Sequence, residues 1–209
     1  MSMVVEKQRV RLVFLGSAGV GKTALVQRFL GNTFDPRHRR TVEELHCLQC
    51  QTDSSQGWVE IMDTSGSYSF PAMRQLCIRH GDVFALVYSA EEPESFEEIK
   101  RLREQILAVK QDQPSTPMVV VANKADLAQD RLGSAQDMIA AMVQLDWGCS
   151  FLETSAKHNH NVLTLFKELL LQVQLPSMLR STLDRRRDTF PRESQPRPIG
   201  SKSHSCAIS

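Results

Sequence analysis

A glycine-rich stretch near the start of the chain reads Gly16-Ser17-Ala18-Gly19-Val20-Gly21-Lys22-Thr23. An apolar run that is typical of a strand ends just before it, and a predicted helix begins at Lys22 and continues through Ala24. Two glycines separated by four residues and followed by lysine and threonine form the pattern of a phosphate-binding loop. Glycines let consecutive backbone amides point toward an anion, and the helix N-terminus adds unpaired N–H donors. We expect the Lys22 ammonium to contact the outer phosphates and the Thr23 hydroxyl to bind Mg²⁺. The alternative is a glycine-rich turn between two core elements.

The composition indicates one globular domain with a basic tail. The chain has 209 residues, of which 41% are hydrophobic, and its net charge is +1. Seven basic and three acidic residues give residues 176–209 a net charge of +4, which leaves −3 for the rest of the chain. We therefore predict a domain over residues 1–175 and a flexible basic tail over residues 176–209. The near-neutral total argues against a nucleic-acid partner.

The cysteines and the apolar runs indicate in which cellular compartment the protein works and whether it crosses a membrane. Five cysteines are scattered along the chain, and its first residues show no secretory signal pattern. This usage favours a reducing, cytosolic compartment. The longest apolar runs are too short to cross a bilayer. Cys47 and Cys50 have a spacing that suits a metal, but no second pair of ligands accompanies them, so we assign no zinc site.

Predicted strands alternate with predicted amphipathic helices. The strands cover residues 9–15, 43–52, 58–62, 82–89, 117–121 and 149–152, and the helices cover residues 22–30, 72–79, 96–109, 135–145 and 162–173. A polar turn joins the second and third strands as a hairpin. We predict an α/β fold with a doubly wound, mostly parallel six-stranded sheet and one antiparallel edge strand. Ligands of such sheets bind at the carboxyl ends of the strands.

Beyond the phosphate loop, three residues have side chains or backbone groups that suit a metal ion or a terminal phosphate. Asp63 follows the strand 58–62, where its carboxylate can hold Mg²⁺ through water. Gly66 lets a backbone N–H group approach the terminal phosphate. Thr41 could offer a second hydroxyl to Mg²⁺, although an ordinary threonine at the start of a strand is the other interpretation.

Two motifs at the ends of later strands suit a guanine base. Asn123-Lys124-Ala125-Asp126 follows the fifth predicted strand, and Glu153-Thr154-Ser155-Ala156-Lys157 follows the sixth. The Asp126 carboxylate can accept hydrogen bonds from N1–H and the exocyclic amine of guanine, a donor pair that adenine lacks. We expect the Lys124 stem to cover one face of the base while its ammonium binds the phosphate loop. Ala156 would offer its backbone N–H to the guanine oxygen, and Asn123 completes the motif.

Taken together and in this order, these motifs resemble those of Ras-family small GTPases over about residues 9–174. The stretch 63–73 is similar to the Di-Ras branch and to the Ras-dva proteins. The resemblance implies a P-loop G domain that binds GTP and GDP with Mg²⁺ and hydrolyses GTP. It further implies a monomer that meets an effector, an exchange factor and an activating protein.

Individual roles also follow from the resemblance. It implies that Phe34 packs on the guanine edge and that Lys22 and Gly66 act in hydrolysis. Further nucleotide contacts implied by it are Ala24, Leu127, Ser155 and Lys157. The effector region implied by it comprises Thr41, Val42, Glu43 and Glu44.

Two positions near the hydrolysis site depart from the Ras pattern. Ser67 stands where Ras has the glutamine that orients the attacking water, and its hydroxyl is too short to replace that amide. Ala18 stands where Ras has a glycine, and its methyl group would crowd the water or an incoming arginine. We expect slow intrinsic hydrolysis. The protein would then either remain in its GTP-bound state or depend on an activator that supplies its own catalytic side chain. The alternatives are ordinary slow turnover and a GTP-loaded binding module with negligible hydrolysis. A phosphate-loop kinase is disfavoured by the guanine motif.

The first switch of this chain is basic. It reads Arg37-His38-Arg39-Arg40 before Thr41, where Ras carries acidic residues and a tyrosine. Because charge sign governs the choice of partner, we expect the usual Ras effectors not to bind at ordinary affinity. The alternative is a solvated basic loop without a role in specificity.

The chain ends in Cys206-Ala207-Ile208-Ser209, a C-a-a-X box whose terminal serine favours farnesylation of Cys206. One prenyl chain binds membranes marginally, so a second signal is needed, and the arginines of the tail are its candidate. We expect a lipid anchor on the cytoplasmic face of the cell membrane, with part of the protein in the cytosol.

Overall fold

The computed structural model describes residues 8–37, 41, 43–51, 56–66, 71–111, 116–127 and 133–173. Within these residues the strands are β1 (Gln8–Leu15), β2 (Glu44–Gln51), β3 (Gln56–Asp63), β4 (Val83–Ser89), β5 (Met118–Asn123) and β6 (Ser150–Glu153). The helices are α1 (Lys22–Gly31), α2 (Pro71–His80), α3 (Phe96–Val109), α4 (Gly133–Ala141) and α5 (Val162–Gln172). Short 3-10 turns cover Pro93–Ser95 and Ala125–Leu127, and one π-helical turn covers Met142–Asp146.

All six strands belong to one sheet in the order β2-β3-β1-β4-β5-β6. β2 runs antiparallel to β3 at one edge, and every other neighbouring pair is parallel. The predicted fold class is therefore confirmed, including the single antiparallel edge strand. The predicted boundary at residue 175 and the basic tail lie outside the described residues.

Alternate residues of β1 face two separate cores. Leu12 and Phe14 point into the layer beneath α1 and α5, whereas Val13 and Leu15 point into the layer beneath α2, α3 and α4. This is the two-residue period of a strand, applied to a sheet that helices cover on both faces. The central strands β4 and β5 are buried along their whole lengths, as their apolar sequences predict.

Aromatic contacts tie the helices together on both sides of the sheet. Phe29 of α1 stacks on Phe166 of α5 with ring centroids 3.7 Å apart, and Phe166 also meets Phe14 of β1. In the other core, Phe96 of α3 stacks on Trp147 with centroids 5.6 Å apart. These contacts hold the helices at fixed positions relative to the strand ends that carry the motifs.

Most observed bounds differ from the predicted ones by one or two residues, and the largest difference is at α4. The helix predicted over residues 135–145 is an α-helix only as far as Ala141, and a π-helical turn completes it. β5 continues two residues beyond its predicted end, so Asn123 is its last residue. Among the described helices, none combines the length and the apolar character that a membrane span requires.

Candidate functional site

The predicted motifs meet at the end of the sheet where the parallel strands have their carboxyl ends. The phosphate loop follows β1, Asp63 ends β3, Asn123 ends β5, and the loop that begins at Thr154 follows β6. Because these strands are parallel, their carboxyl ends lie along the same edge. The fold therefore brings the sequence motifs together at one end of the sheet.

The phosphate loop depends on glycine where it passes into α1. Gly21 has φ of 93°, a left-handed conformation, and a Cβ added to it would collide with Asn123 Nδ2. Both facts exclude a larger residue there. Gly16 and Gly19 also have positive φ values, so the backbone of this loop curls as an anion-binding nest requires.

The Lys22 side chain folds back along the phosphate loop. Its Nζ donates hydrogen bonds to the carbonyl oxygens of Gly16 at 2.8 Å and Ser17 at 2.9 Å. Burial lowers the pKa of the Lys22 ammonium to about 8, while the negative charge of Asp63 acts in the opposite direction. A second negative group beside it would therefore favour the charged form of Lys22.

Oxygen atoms suited to Mg²⁺ cluster beside this lysine. Thr23 Oγ1 lies 2.6 Å from Thr41 Oγ1, although the two residues are far apart in sequence. Asp63 is fully buried, and neither of its carboxylate oxygens has a hydrogen-bond partner among the described residues. Burial raises the pKa of this carboxyl group, an effect that the neighbouring Thr23 hydroxyl and Lys22 ammonium partly offset. Two hydroxyls and a bare buried carboxylate are the hard oxygen ligands that Mg²⁺ prefers, so these residues fit the metal.

The segment after Asp63 returns directly to the phosphate loop. Thr64 Oγ1 donates a 2.6 Å hydrogen bond to the carbonyl oxygen of Phe14 at the end of β1. Gly66 then approaches so closely that a Cβ on it would lie 2.5 Å from Ala18 Cα and would also collide with the backbone around it. The side chain of Ala18 itself is exposed. Positions 18 and 66 are thus in direct contact.

Asn123 holds three loops together. Its Nδ2 donates a 2.8 Å hydrogen bond to the carbonyl of Val20, and its Oδ1 accepts hydrogen bonds from Thr154 Oγ1 at 3.1 Å and Ala156 N at 3.3 Å. The side chain is buried. It therefore links the phosphate loop to both base motifs.

The Asp126 carboxylate lies where the two base motifs meet. Ser155 Oγ donates a 2.6 Å hydrogen bond to Asp126 Oδ1, and this hydroxyl also accepts the backbone N–H of His158. Lys157 and His158 bring nitrogen atoms within 3.9 Å and 3.8 Å of Asp126 Oδ2. Ser155 thus fixes the orientation of the carboxylate at the point where the two base motifs meet.

The comparison with known proteins agrees with this arrangement. The family model described as "Ras family" matches residues 11–175 of the chain. The chain belongs to the Ras family. It is therefore a small GTPase of the kind that binds GTP and GDP and hydrolyses GTP, and such GTPases generally use Mg²⁺.

The individual relatives of this chain include GTP-binding proteins named Di-Ras2 and Rhes. It is 43% identical over 160 residues to GTP-binding protein Di-Ras2 of Macaca fascicularis and to that of Mus musculus, which covers 77% of the chain and 79% of each relative. It is 37% identical over 190 residues to GTP-binding protein Rhes of Homo sapiens, which covers 88% of the chain and 71% of that relative. The predicted resemblance to Di-Ras is confirmed, and the one to Ras-dva stays a prediction.

One expected contact of the Ras-family site differs in the structure. The Lys124 ammonium lies 3.2 Å from Glu91 Oε2 instead of on the phosphate loop. Lys124 has a left-handed φ of 61°, and the negative charge of Glu91 after β4 attracts its side chain.

Leu127 lies half-exposed in the turn that follows Asp126, and Ala24 is half-buried in the first turn of α1.

Sequence reasoning missed Arg28, which lies near the end of α1. Its guanidinium donates hydrogen bonds to the backbone carbonyls of Ala156 and Lys157 and lies over the ring of Phe34. Its only sequence signal is a basic residue in the last turn of a helix, which is too common to be specific. Phe34 itself is half-buried and packs against the core beneath α1 and α5.

Several predicted residues lie outside the described part of the chain. These are Ser67, Val42, residues 38–40 and Cys206. Of the predicted effector region, Thr41 and Glu43 are half-buried and Glu44 is exposed, with Glu44 Oε2 lying 3.5 Å from His46 Nε2. Cys47 is an exposed free thiol on β2.

Proposed function

We propose that this Ras-family chain is a membrane-anchored signalling switch that binds GTP and GDP with Mg²⁺ and hydrolyses GTP slowly. The observation that carries the proposal is the cluster of Thr23, Thr41 and Asp63 beside Lys22. Hydroxyls from α1 and from the first switch lie 2.6 Å apart beside the buried Asp63 carboxylate, whose oxygens have no hydrogen-bond partner among the described residues. An arrangement that joins the first switch to the phosphate loop is what a metal-dependent switch needs.

In the proposed site, Lys22 and the loop amides hold the phosphates, while Thr23, Thr41 and Asp63 hold Mg²⁺. Bound Mg²⁺ supplies Lewis-acid stabilisation of charge on phosphate oxygens. Lys22 already lies along the loop on two carbonyl oxygens, and a phosphate would give its ammonium a stronger, charged partner. Contact between Thr41 and the metal would keep the first switch closed only while the terminal phosphate is present.

We assign recognition of guanine to Asp126, with Asn123, Lys124 and Ala156. Ser155 orients the Asp126 carboxylate through a 2.6 Å hydrogen bond to Oδ1, and we propose that this carboxylate accepts the paired donors of the base. Asn123 keeps the loop between β6 and α5, here called the base loop (residues 154–161), at a fixed separation from the phosphate loop through its hydrogen bonds to both. Adenine would leave this carboxylate without its donor pair, at a cost on the order of 10⁴-fold in affinity.

Slow hydrolysis is proposed from the contact between Ala18 and Gly66. The backbone of Gly66 lies directly against the backbone of Ser17 and Ala18 in the phosphate loop. Ser67, the residue after Gly66, lacks the amide that orients the attacking water in Ras. The methyl group of Ala18, which the glycine of Ras lacks, would leave less room for the water or for an arginine supplied by an activator.

Single-turnover hydrolysis of bound GTP tests the proposal. The wild-type chain should hydrolyse GTP more slowly than Ras does without an activator. Ser67→Gln should accelerate hydrolysis at least about tenfold, because a positioned catalytic group is worth 10²-fold or more. Ala18→Gly is the matched variant, and it should add to the effect of Ser67→Gln by relieving the crowding. A wild-type rate equal to that of Ras would contradict the proposal.

A GTP-loaded binding module with negligible hydrolysis is the second candidate, and Ser67 and Ala18 are the features that favour it. The same assay separates the two functions. A slow but complete conversion of bound GTP supports the switch, whereas bound GTP that persists as long as the folded protein supports the module.

We further propose partners and a location. The effector region comprises Thr41, Val42, Glu43 and Glu44, and the basic segment 37–40 would disfavour the usual Ras effectors. Arg37 is exposed at this surface and pairs with Asp35 at 3.3 Å. Farnesylation of Cys206 and the basic tail over residues 176–209 would hold a monomer at the cytoplasmic face of the cell membrane, where exchange factor and activator also act.

A further inference from the structure

We propose that Arg28 is a positioning residue that holds the base loop and Phe34 together and thereby slows nucleotide release. The inference rests on the proposed function, since it concerns the same guanine site. Arg28 belongs to neither the phosphate loop nor the two base motifs. It acts on the nucleotide through the backbone of the residues that would touch the base.

The Arg28 guanidinium bridges two loops that are distant in sequence. Its Nε donates to the carbonyl oxygen of Ala156 at 2.9 Å, and its Nη2 donates to that of Lys157 at 2.8 Å. Its Nη1 donates to the carbonyl oxygen of Asn32 at 2.8 Å. A planar fork with donors on three nitrogens is the side chain that can satisfy three carbonyls at once.

Two consecutive carbonyls on one rigid group restrict the base loop. With the oxygens of Ala156 and Lys157 both held by Arg28, the peptide unit between them cannot rotate freely. The N–H group of Ala156, which we assign to the guanine oxygen, belongs to the same short segment and faces Asn123 Oδ1 at 3.3 Å. Arg28 and Asn123 therefore hold this residue from opposite sides of its backbone.

The same guanidinium supports the aromatic residue assigned to the edge of the base. The Arg28 Cζ atom lies 5.9 Å from the centroid of the Phe34 ring, within the range of a cation–π contact. Asn32 ends α1 in a left-handed conformation and returns its backbone N–H to the Arg28 carbonyl at 3.0 Å. Asn159 of the base loop also donates to Asn32 Oδ1 at 3.3 Å. The segment that leads to Phe34 and the base loop are thus fastened to each other around Arg28.

Release of a fluorescent GDP analogue, measured by stopped flow, tests this inference. Arg28→Met keeps the apolar stem and loses every donor, so release should be at least about tenfold faster than from wild type. Arg28→Lys keeps the charge but lacks the planar fork, so it should still release the analogue at least about threefold faster. Because Arg28 acts on the base side, the fold-change should be the same with Mg²⁺ present and after chelation with EDTA.

A double-mutant cycle distinguishes positioning from general loss of stability. Arg28→Met combined with Phe34→Leu should accelerate release by clearly less than the product of the two single effects, because each change removes the same contact. Independent effects that multiply would overturn the inference. So would a release rate of Arg28→Met within twofold of wild type, full recovery by Arg28→Lys, or a fold-change that vanishes in EDTA.

Two further variants separate this inference from the proposed function. Arg101→Met changes an exposed arginine of α3 and should leave release unchanged. Asp126→Ala should accelerate release strongly if the base site is assigned correctly. A normal rate in Asp126→Ala contradicts the proposed base site itself, whereas fast release from Asp126→Ala with a normal rate from Arg28→Met contradicts the role of Arg28 alone.

Discussion

Asn123 is the single residue on which most of the site's internal geometry depends. Its buried side chain contacts the phosphate loop through Val20 and the base loop through Thr154 and Ala156. Asn123→Ala would leave three buried groups without partners, so we expect a loss of about 2–4 kcal/mol in the free energy of unfolding. Urea denaturation of the nucleotide-free protein measures it.

Thr154→Val serves as the graded control for Asn123→Ala. It removes only the hydroxyl that contacts Asn123 and should cost about 1 kcal/mol. Equal losses for the two variants would mean that the bonds from Asn123 to Val20 and Ala156 contribute nothing to stability.

Single residues also show where sequence reasoning ends. The residue types and spacing of the phosphate loop and base motifs predicted which side chains would gather at the strand ends, because each motif carries its own chemical logic. The partners of Arg28 and the pairing of Lys124 with Glu91 could not be predicted in this way. Such contacts join loops that meet only after the sheet has formed, and no local pattern encodes them.

Among the elements, β1 and β3 share a pair of charges on their parallel ladder. Glu60 of β3 is buried and accepts hydrogen bonds from Arg11 of β1 at 2.9 Å and 2.7 Å, while Arg9 reaches it from a more exposed position at 3.2 Å. Removing Arg11 would leave a buried carboxylate with only a partly solvated partner. We expect Arg11→Met to lower the free energy of unfolding by roughly 1–3 kcal/mol.

Arg9→Met is the matched variant for this pair. Because the Arg9 side chain is 64% exposed, its loss should change the free energy of unfolding by less than about 0.5 kcal/mol. Chemical denaturation midpoints measure both effects. A larger effect at Arg9 than at Arg11 would contradict the assignment of Arg11 as the principal partner of Glu60.

Hydrophobic periodicity predicted the central elements well because each of them buries a clear stripe or face. α3 buries Phe96, Ile99, Leu102 and Ile106 at helical spacing, and β4 is apolar throughout. The π-helical turn at Met142–Asp146 was not predictable, since one extra residue in a turn leaves the local apolar pattern nearly unchanged. Val143 in this turn is buried, whereas Leu145 is 82% exposed.

At the scale of the whole molecule, Mg²⁺ would connect the first switch, the phosphate loop and β3. Chelation with EDTA should therefore speed release of GDP from wild type at least about tenfold, because Thr23, Thr41 and Asp63 lose their common partner. Asp63→Ala should release GDP quickly even with Mg²⁺ and respond little to EDTA. Asp137→Ala, which changes an exposed carboxylate of α4, should retain the full response to EDTA. A normal response in Asp63→Ala would exclude that residue as a ligand.

The tail predicts where the whole molecule is found in a cell. Cys206→Ser should move the protein from the membrane pellet to the soluble fraction, since one thioether-linked lipid supplies most of the apolar binding energy. Cys47→Ser, which changes an exposed thiol on β2, should leave the distribution unchanged. Persistence of Cys206→Ser on membranes would contradict lipid attachment at this residue.

The close approach of Gly66 to Ala18 has a consequence for how this protein can evolve. Because two backbones touch there, position 66 tolerates only glycine, whereas position 18 bears an exposed methyl group that selection is free to enlarge or remove. Position 66 is therefore fixed, whereas position 18 can vary. If Ala18 slows hydrolysis as proposed, a change at this one codon would alter the lifetime of the signal while the rest of the site stays the same.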